Sequence, residues 1–265
     1  MTKIGILYIA VGEKFLKEAL VSLRSLRIHC PEIPVCIKTH RCVELDDPYC
    51  QIEVVEPVAV AKSNKIRYMS QTPFEHTLFL DTDTYICENI AGMFDLLNRF
   101  ELLAAYAPRG GDQTVEVDCP DGFIELNTGV LLYRKCESVM RLFEKWQNKH
   151  QLHLEQKKTL RDQPAFREML FHSDVNFFTL PHEYNFRVNK INAARADKVY
   201  ILHGRTVDLE KLARRINRIS GQRAYFPYTQ TLFSPSLIIG TESDGWMQRI
   251  GRVLRRIFSF RIKRG

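Results

Sequence analysis

No stretch of the 265 residues approaches the roughly 18 to 20 uninterrupted apolar positions that a membrane-spanning helix requires. The seven cysteines include no CxxC pair, and their odd number speaks against a disulfide framework. Cys30, Cys36, Cys42 and Cys50 are spaced too widely for a standard zinc-ligand pair. No Asn-x-Ser/Thr sequon occurs, and together these absences point to a reducing, cytoplasmic compartment. The N-terminus lacks a separate charged leader and a small-residue cleavage site, so its apolar run reads as a first strand. There is no internal repeat, low-complexity segment or Gly/Ser linker, which leaves one domain plus a tail. The most informative absence is of acid: no Asp or Glu follows Asp244. Seven basic residues, Arg249, Arg252, Arg255, Arg256, Arg261, Lys263 and Arg264, fall in that region. With them set aside, 31 Lys and Arg face 31 Asp and Glu, so the whole net charge of +7 belongs to the tail.

Hydrophobic residues at 45% and charged residues at 26% fit a globular chain with a sizeable core. Ile4–Ala10 is a nearly continuous apolar run, suited to a strand buried on both faces. Phe15 to Ile28 shows helical spacing through Leu16, Ala19, Leu20, Leu23 and Leu26, and Pro31 and Pro34 stop it. Strands follow at Val35–Thr39, Gln51–Val58 and His76–Leu80. Short connections between such elements predict an α/β sandwich with a mainly parallel central sheet.

The last of these strands runs straight into Asp81-Thr82-Asp83. In open α/β sheets ligands bind beyond the carboxyl ends of the strands. Residues i and i+2 of an extended chain project to one side, so Asp81 and Asp83 can converge on one cation. Two hard oxygen ligands suit Mg²⁺ or Mn²⁺ bridging to substrate phosphates. The bland reading is a solvated Asp-rich turn.

Phe79-Leu80-Asp81-Thr82-Asp83-Thr84 resembles the DxD segment of nucleotide-sugar glycosyltransferases with the GT-A fold. Further likenesses occur in the same order. Asn64-Lys65-Ile66-Arg67 resembles the basic segment that precedes the DxD strand, and Asn127-Thr128-Gly129 the segment that follows it. Asp162-Gln163-Pro164 resembles a "DQ" helix start, and Tyr184-Asn185 a later Tyr-Asn pair. Ile201-Leu202-His203-Gly204 resembles the strand carrying a metal-binding histidine. The likeness spans residues 3–205 and is nearest to small family-8 enzymes, the glycogenin and bacterial galactosyltransferase type. It departs after His203: those enzymes commonly carry Gly-x-x-Lys-Pro-Trp, and this chain has Gly204-Arg205-Thr206 with no Lys-Pro-Trp.

The resemblance implies a metal held by Asp83 and His203, with Asp81 sharing it or holding the ribose. Mn²⁺ or Mg²⁺ would serve, an imidazole ligand favouring Mn²⁺. It implies a UDP-sugar donor, retention at the anomeric carbon, and a glycan or glycolipid acceptor. Asp162 would contact donor-sugar hydroxyls, and Gln163 would lie near the anomeric carbon. Asn127 would orient a sugar hydroxyl or a donor carbonyl. Lys65 would meet the phosphates; by their place at the end of the first strand Ala10 and Val11 would flank base and ribose, and Tyr8 would stack on the base or simply pack within a buried strand. Each has a plainer alternative. His203 also fits a core histidine, Asp162 an N-cap, Asn127-Thr128-Gly129 a turn into a strand, and Lys62 to Arg67 a solvated basic turn. Gly129 would permit close backbone approach. Should the enzyme invert instead, a carboxylate base is needed, and Asp112, Asp121 and Glu125 are available. Arg109 to Gly122 reads as a loop over the acceptor side.

The division expected is a glycosyltransferase domain over 1–205, an extension packing on it over 206–245, and a basic amphipathic helix over 246–265. On a helical wheel Trp246, Ile250, Val253, Leu254 and Ile257 oppose Arg249, Arg252, Arg255 and Arg256, the pattern of a helix lying in a membrane surface. Packing on the body is the second reading, and no nucleic-acid partner is expected. A second basic stretch, Lys211 to Arg223, carries Leu212, Ile216 and Ile219 at helical spacing. The enzyme would then sit peripherally on the cytoplasmic face of a membrane. A sugar nucleotidyltransferase usually carries a Gly-rich loop after its first strand, where this chain has one glycine between Ala10 and Lys14. A non-enzymatic binder driven by the tail is the third class.

Overall fold

The computed structural model describes residues 2–58, 61–107, 117–195 and 198–234. The tail over 246–265 and residues 109–116 of the expected acceptor-side loop lie outside the described residues.

The chain begins with β1 (Thr2–Ala10), α1 (Glu13–His29), β2 (Val35–Thr39), β3 (Cys50–Val54), α2 (Ala61–Met69) and β4 (Phe74–Leu80). It continues through β5 (Thr84–Ile86), β6 (Leu102–Tyr106), β7 (Leu126–Arg134), α3 (Glu137–Glu155) and α4 (Gln163–Phe171). Next come β8 (Phe177–Leu180), β9 (Phe186–Arg187), β10 (Asn192–Ala194) and β11 (Ile201–His203). The described chain closes with α5 (Leu209–Ile216), β12 (Arg223–Phe226) and β13 (Thr231–Phe233). β3 ends at Val54, short of the run to Val58, and the basic segment that follows is helical.

The central sheet has seven strands in the order β3-β2-β1-β4-β7-β6-β8. The first four are mutually parallel, β7 runs against both β4 and β6, and β8 is parallel to β6. The sheet is thus mainly parallel, with the ends of β1 and β4 side by side. Alternation along the strands explains their unbroken apolar sequence. Ile6, Tyr8 and Ala10 of β1 meet Leu16, Ala19, Leu23 and Leu26 of α1 on one face. Leu7, with Phe79 of β4 and Leu131 of β7, meets Ile66, Trp146 and Phe166 from the helices of the other. Every side chain of β1 from Ile6 to Ala10 therefore faces a layer of protein, except where the strand end opens.

Two small sheets extend this body, β5-β11-β9 and β10-β12-β13. Leu212 and Ile216 of α5 and Tyr225 of β12 join Phe186, Val188 and Leu202 in a third apolar cluster. Asp208 caps α5, its side chain accepting from the Lys211 amide at 2.9 Å. The stretch Lys211 to Arg223 is not one cationic face: Ile219 lies beyond the helix, and Arg223 is buried. Among the described residues no helix is long and apolar enough to cross a membrane, and all seven cysteines are free.

Candidate active site

The site grows from the turn between β4 and β5. The Asp81 amide donates to the Gly129 carbonyl of β7 at 2.7 Å, and Thr84 Oγ1 donates to the Asp81 carbonyl at 2.9 Å. β5 then pairs antiparallel with β11, placing Thr84 opposite His203. The Gly204 amide donates to the Asp83 carbonyl at 2.9 Å and locks that pairing at the turn. This strand contact brings His203 to the acidic pair.

His203 Nε2 lies 3.6 Å from Asp81 Oδ2 and 3.6 Å from Asp83 Oδ1. One ligand atom from each residue falls within 4.8 Å of the others. Two carboxylates and an imidazole are the donor set expected for a divalent cation such as Mn²⁺ or Mg²⁺. The backbone makes room for the arrangement. A Cβ on Gly129 would stand 2.2 Å from His203 Cε1 and 2.5 Å from Asp81 Oδ2, so only glycine allows β7 to pass there.

A chain of amides fixes the imidazole. Glu125 Oε1 accepts from Gln163 Nε2 at 2.7 Å, and Gln163 Oε1 accepts from Asn127 Nδ2 at 2.8 Å. Asn127 Oδ1 accepts from Asn185 Nδ2 at 2.8 Å and from the Gly129 amide at 3.1 Å. Asn185 Oδ1 is then left facing His203 Nδ1 at 2.8 Å. A carbonyl oxygen only accepts, so Nδ1 carries a proton and Nε2 is the atom turned toward the two carboxylates and available to a metal. This is how a ligating histidine is held.

The opposite wall is cationic. Lys65 Nζ reaches Asp162 Oδ2 at 3.0 Å, Asp81 Oδ1 at 3.3 Å and Thr128 Oγ1 at 3.0 Å. Lys62 Nζ reaches Asp162 Oδ1 at 3.2 Å, and Thr128 Oγ1 donates to Asp162 Oδ2 at 2.7 Å. Arg205 makes paired contacts to Glu18 at 2.8 Å, approaches Asp83 Oδ2 at 3.2 Å and lies over the Phe15 ring. Burial pushes the Asp162 carboxyl up, but Lys65 and Lys62 outweigh it and hold the group well below the usual carboxylate range. Burial likewise opposes ionisation of Asp81 and Asp83. Lys65 and His203 bring Asp81 down, and His203 with Arg205 bring Asp83 down. Burial depresses Lys65, yet Asp162 and Asp81 carry it above its ordinary value.

Together these residues line a cleft of about 320 Å³ at the ends of β1 and β4. Val11, Lys65, Asp81, Asp83, Asn127, Asp162, Gln163 and His203 all line it. Two expected residues do not. Tyr8 is fully buried on the α1 face, where its hydroxyl bonds Ser22 Oγ at 2.9 Å, so it has no free ring face for a base. Ala10 shares that face and its side chain turns away. The alternation of β1 presents Ile9 to the cleft instead, beside the expected Val11 and with Phe15 next to them. Asn127, Thr128 and Gly129 belong to β7 rather than to a turn before it. Asp162 stands at the start of α4 but makes no side-chain cap bond, because both its oxygens turn to the lysines and Thr128. Lys62 and Lys65 follow helical spacing, whereas Arg67 points out of the cleft. Phe15, Arg187 and Arg205 were not singled out from the sequence as site residues; each is brought in by tertiary packing and carries no local signal.

The profile of the nucleotide-diphospho-sugar transferase family matches residues 75–211, from β4 into the first turn of α5. The chain belongs to that family. The transferase has the GT-A fold and resembles family-8 glycosyltransferases. Solved structures of similar fold include an active-site mutant of LgtC, 16% identical with a TM-score of 0.55 over 75% of this chain and 86% of that one. The galactosyltransferase LgtC with donor and acceptor sugar analogs gives a TM-score of 0.54 at 16% identity, with the same shares of the two chains. The glycosyltransferase GlyE of Streptococcus pneumoniae TIGR4 gives 0.53 at 16% identity, over 83% of this chain and 58% of that one. A comparison with curated proteins finds no match.

Proposed function

We propose that this glycosyltransferase moves a sugar from a UDP-sugar to a glycan or lipid-linked acceptor, with retention at the anomeric carbon and with Mn²⁺ or Mg²⁺ at Asp81, Asp83 and His203. The observation that carries the reading is the convergence of those three side chains beneath Gly129, with His203 held in the ligating tautomer. A divalent cation held by these three residues would neutralise the charge that develops on the departing diphosphate.

The remaining work falls to the chain itself. Ile9, Val11 and Phe15 form the apolar end of the cleft, suited to a nucleoside. Lys65 and Arg205 flank the acids and offer positive charge to the diphosphate. Asn127 and Gln163 are tied to each other and to Glu125, so they meet the sugar as rigid polar groups rather than free side chains. Asp162 has both oxygens occupied, and a sugar hydroxyl reaches it by displacing the exposed Lys62. Retention is supported by the likeness to family-8 enzymes. Glu125 is buried and bound by Gln163, and neither it nor Asp121 lines the cleft. The cationic, amphipathic pattern of 246–265 supports a station on an anionic, cytoplasmic membrane face.

The test is hydrolysis of a nucleotide-sugar panel, followed by mass spectrometry, with and without Mn²⁺. Turnover of a UDP-sugar that requires the metal and is lost in Asp83→Ala is expected. Metal-independent turnover, unaltered in that variant, refutes the reading. Vesicle flotation of chains with and without 246–265 checks the membrane station separately.

A further inference from the structure

Lys62, Lys65, Arg187 and Arg205 are the cations that line the cleft, and all but Arg187 are already paired. Lys62 and Lys65 answer Asp162 and Asp81, while Arg205 answers Glu18 and Asp83. Arg187 has no hydrogen-bond acceptor or ion-pair partner among the described residues, and its Nε is buried without one. A guanidinium carries five donors, and leaving the one on Nε buried without an acceptor is costly unless a ligand supplies it.

Its place in the fold says what that ligand meets. Arg187 lies opposite His203 in the register of β9 and β11, beside the candidate metal site of Asp81, Asp83 and His203. Burial pulls its pKa below the usual guanidinium range; Asp81 and Asp83 work against that, and nearby Arg161 adds to it. The two acids thus compensate Arg187 through space while they are themselves free. A divalent cation takes their charge, and Arg187 then faces a centre that no longer balances it. An anion brought by the substrate restores the balance.

We propose that Arg187 is a direct contact for an oxyanion of the nucleotide-sugar donor, engaged when the metal site fills. The oxyanion is either the diphosphate or a carboxylate on the sugar. The proposal rests on the donor reading above, and it predicts opposite effects of one substitution on two ligands. That signature separates it from a merely structural role.

Calorimetric titrations of wild type, Arg187→Gln and Arg187→Lys with Mn²⁺ alone, and then with UDP, UDP-glucose and UDP-glucuronate in the presence of Mn²⁺, test it. In Arg187→Gln the loss of a neighbouring positive charge makes Mn²⁺ alone bind several-fold more tightly. If the diphosphate is the contact, UDP binds that variant about 10- to 100-fold more weakly, with Arg187→Lys in between. If a sugar carboxylate is the contact, UDP is unchanged and the preference for UDP-glucuronate over UDP-glucose disappears. Nucleotide and metal affinities all equal to wild type, in variants of unchanged melting temperature, overturn the proposal alone. A wild-type chain that binds none of the three nucleotides with Mn²⁺ overturns the donor reading and the proposal with it.

Discussion

Gly129→Ala adds one methyl group at the point where β7 passes the candidate metal ligands. The new Cβ would lie 2.2 Å from His203 Cε1, 2.9 Å from its Nε2 and 2.5 Å from Asp81 Oδ2. Ordinary contact needs roughly 3.5 Å, so something must move by about 1 Å. His203 is almost wholly buried and tied to Asn185 at 2.8 Å, and the Asp81 backbone is bound to Gly129 itself at 2.7 Å. The strain therefore falls on the Asp81 side chain or on the β4–β7 contact. Gly129 does not have a positive φ, so alanine meets no backbone penalty there. In an open strand the exchange would stabilise by about 0.4–1 kcal/mol through the unfolded chain. Overpacking reverses that sign and costs on the order of 2 kcal/mol, a fall of roughly 4–8 °C in Tm. Displacing a ligand is expected to weaken Mn²⁺ binding by about 100-fold. Calorimetric Mn²⁺ titration and a thermal melt measure both, with Gly92→Ala as control because a Cβ there meets nothing within 4 Å. A Gly129→Ala protein that binds Mn²⁺ within about threefold of wild type would refute the argument that this glycine exists to let the ligands converge.

Three further substitutions probe other parts of the reasoning. Asn185→Ala leaves the buried His203 Nδ1 without its acceptor; Mn²⁺ affinity should fall about 10- to 100-fold, and nitrogen NMR should show a mixture of imidazole tautomers in place of one. Tyr8→Phe breaks a chain in which Tyr8 donates to Ser22, Ser22 to Thr84 and Thr84 to the Asp81 carbonyl. It should cost about 1 kcal/mol in denaturant titration and leave nucleotide affinity untouched, since the ring does not reach the cleft. Asp162→Asn removes a buried carboxylate whose pKa is depressed, so its contribution is present above the unfolded value of about 3.9 and is lost as pH falls toward the folded one. Urea titrations should show wild type ahead by about 3 kcal/mol at neutral pH, with the gap closing only below about pH 4. A gap that closes already between pH 7 and 5 contradicts the ion-pair account.

Much of this protein was determined by local pattern. Apolar runs that face a layer on each side announced β1, β2 and β4, and the 3.6-residue spacing of Leu16, Ala19, Leu23 and Leu26 announced α1. Asp81 and Asp83 were legible because a strand end and an i, i+2 spacing are properties of a few consecutive residues. The motifs of the resemblance named Asn127, Gln163 and His203 for the same reason. Tertiary structure decided the rest. Which face of β1 opens to the cleft depends on where α1 packs, and this put Ile9 beside Val11 there in place of Tyr8 and Ala10. The use of Asp162 was open between cap and cleft until α2 brought Lys62 and Lys65 against it. The tautomer of His203 is set at Glu125, which reaches it through Gln163, Asn127 and Asn185, residues drawn from a helix, a strand and the bend before β9. Sequence specifies elements through interactions between near neighbours along the chain. A charge, a proton position or an unanswered guanidinium such as Arg187 is specified by neighbours in space, and those exist only once the strands have paired.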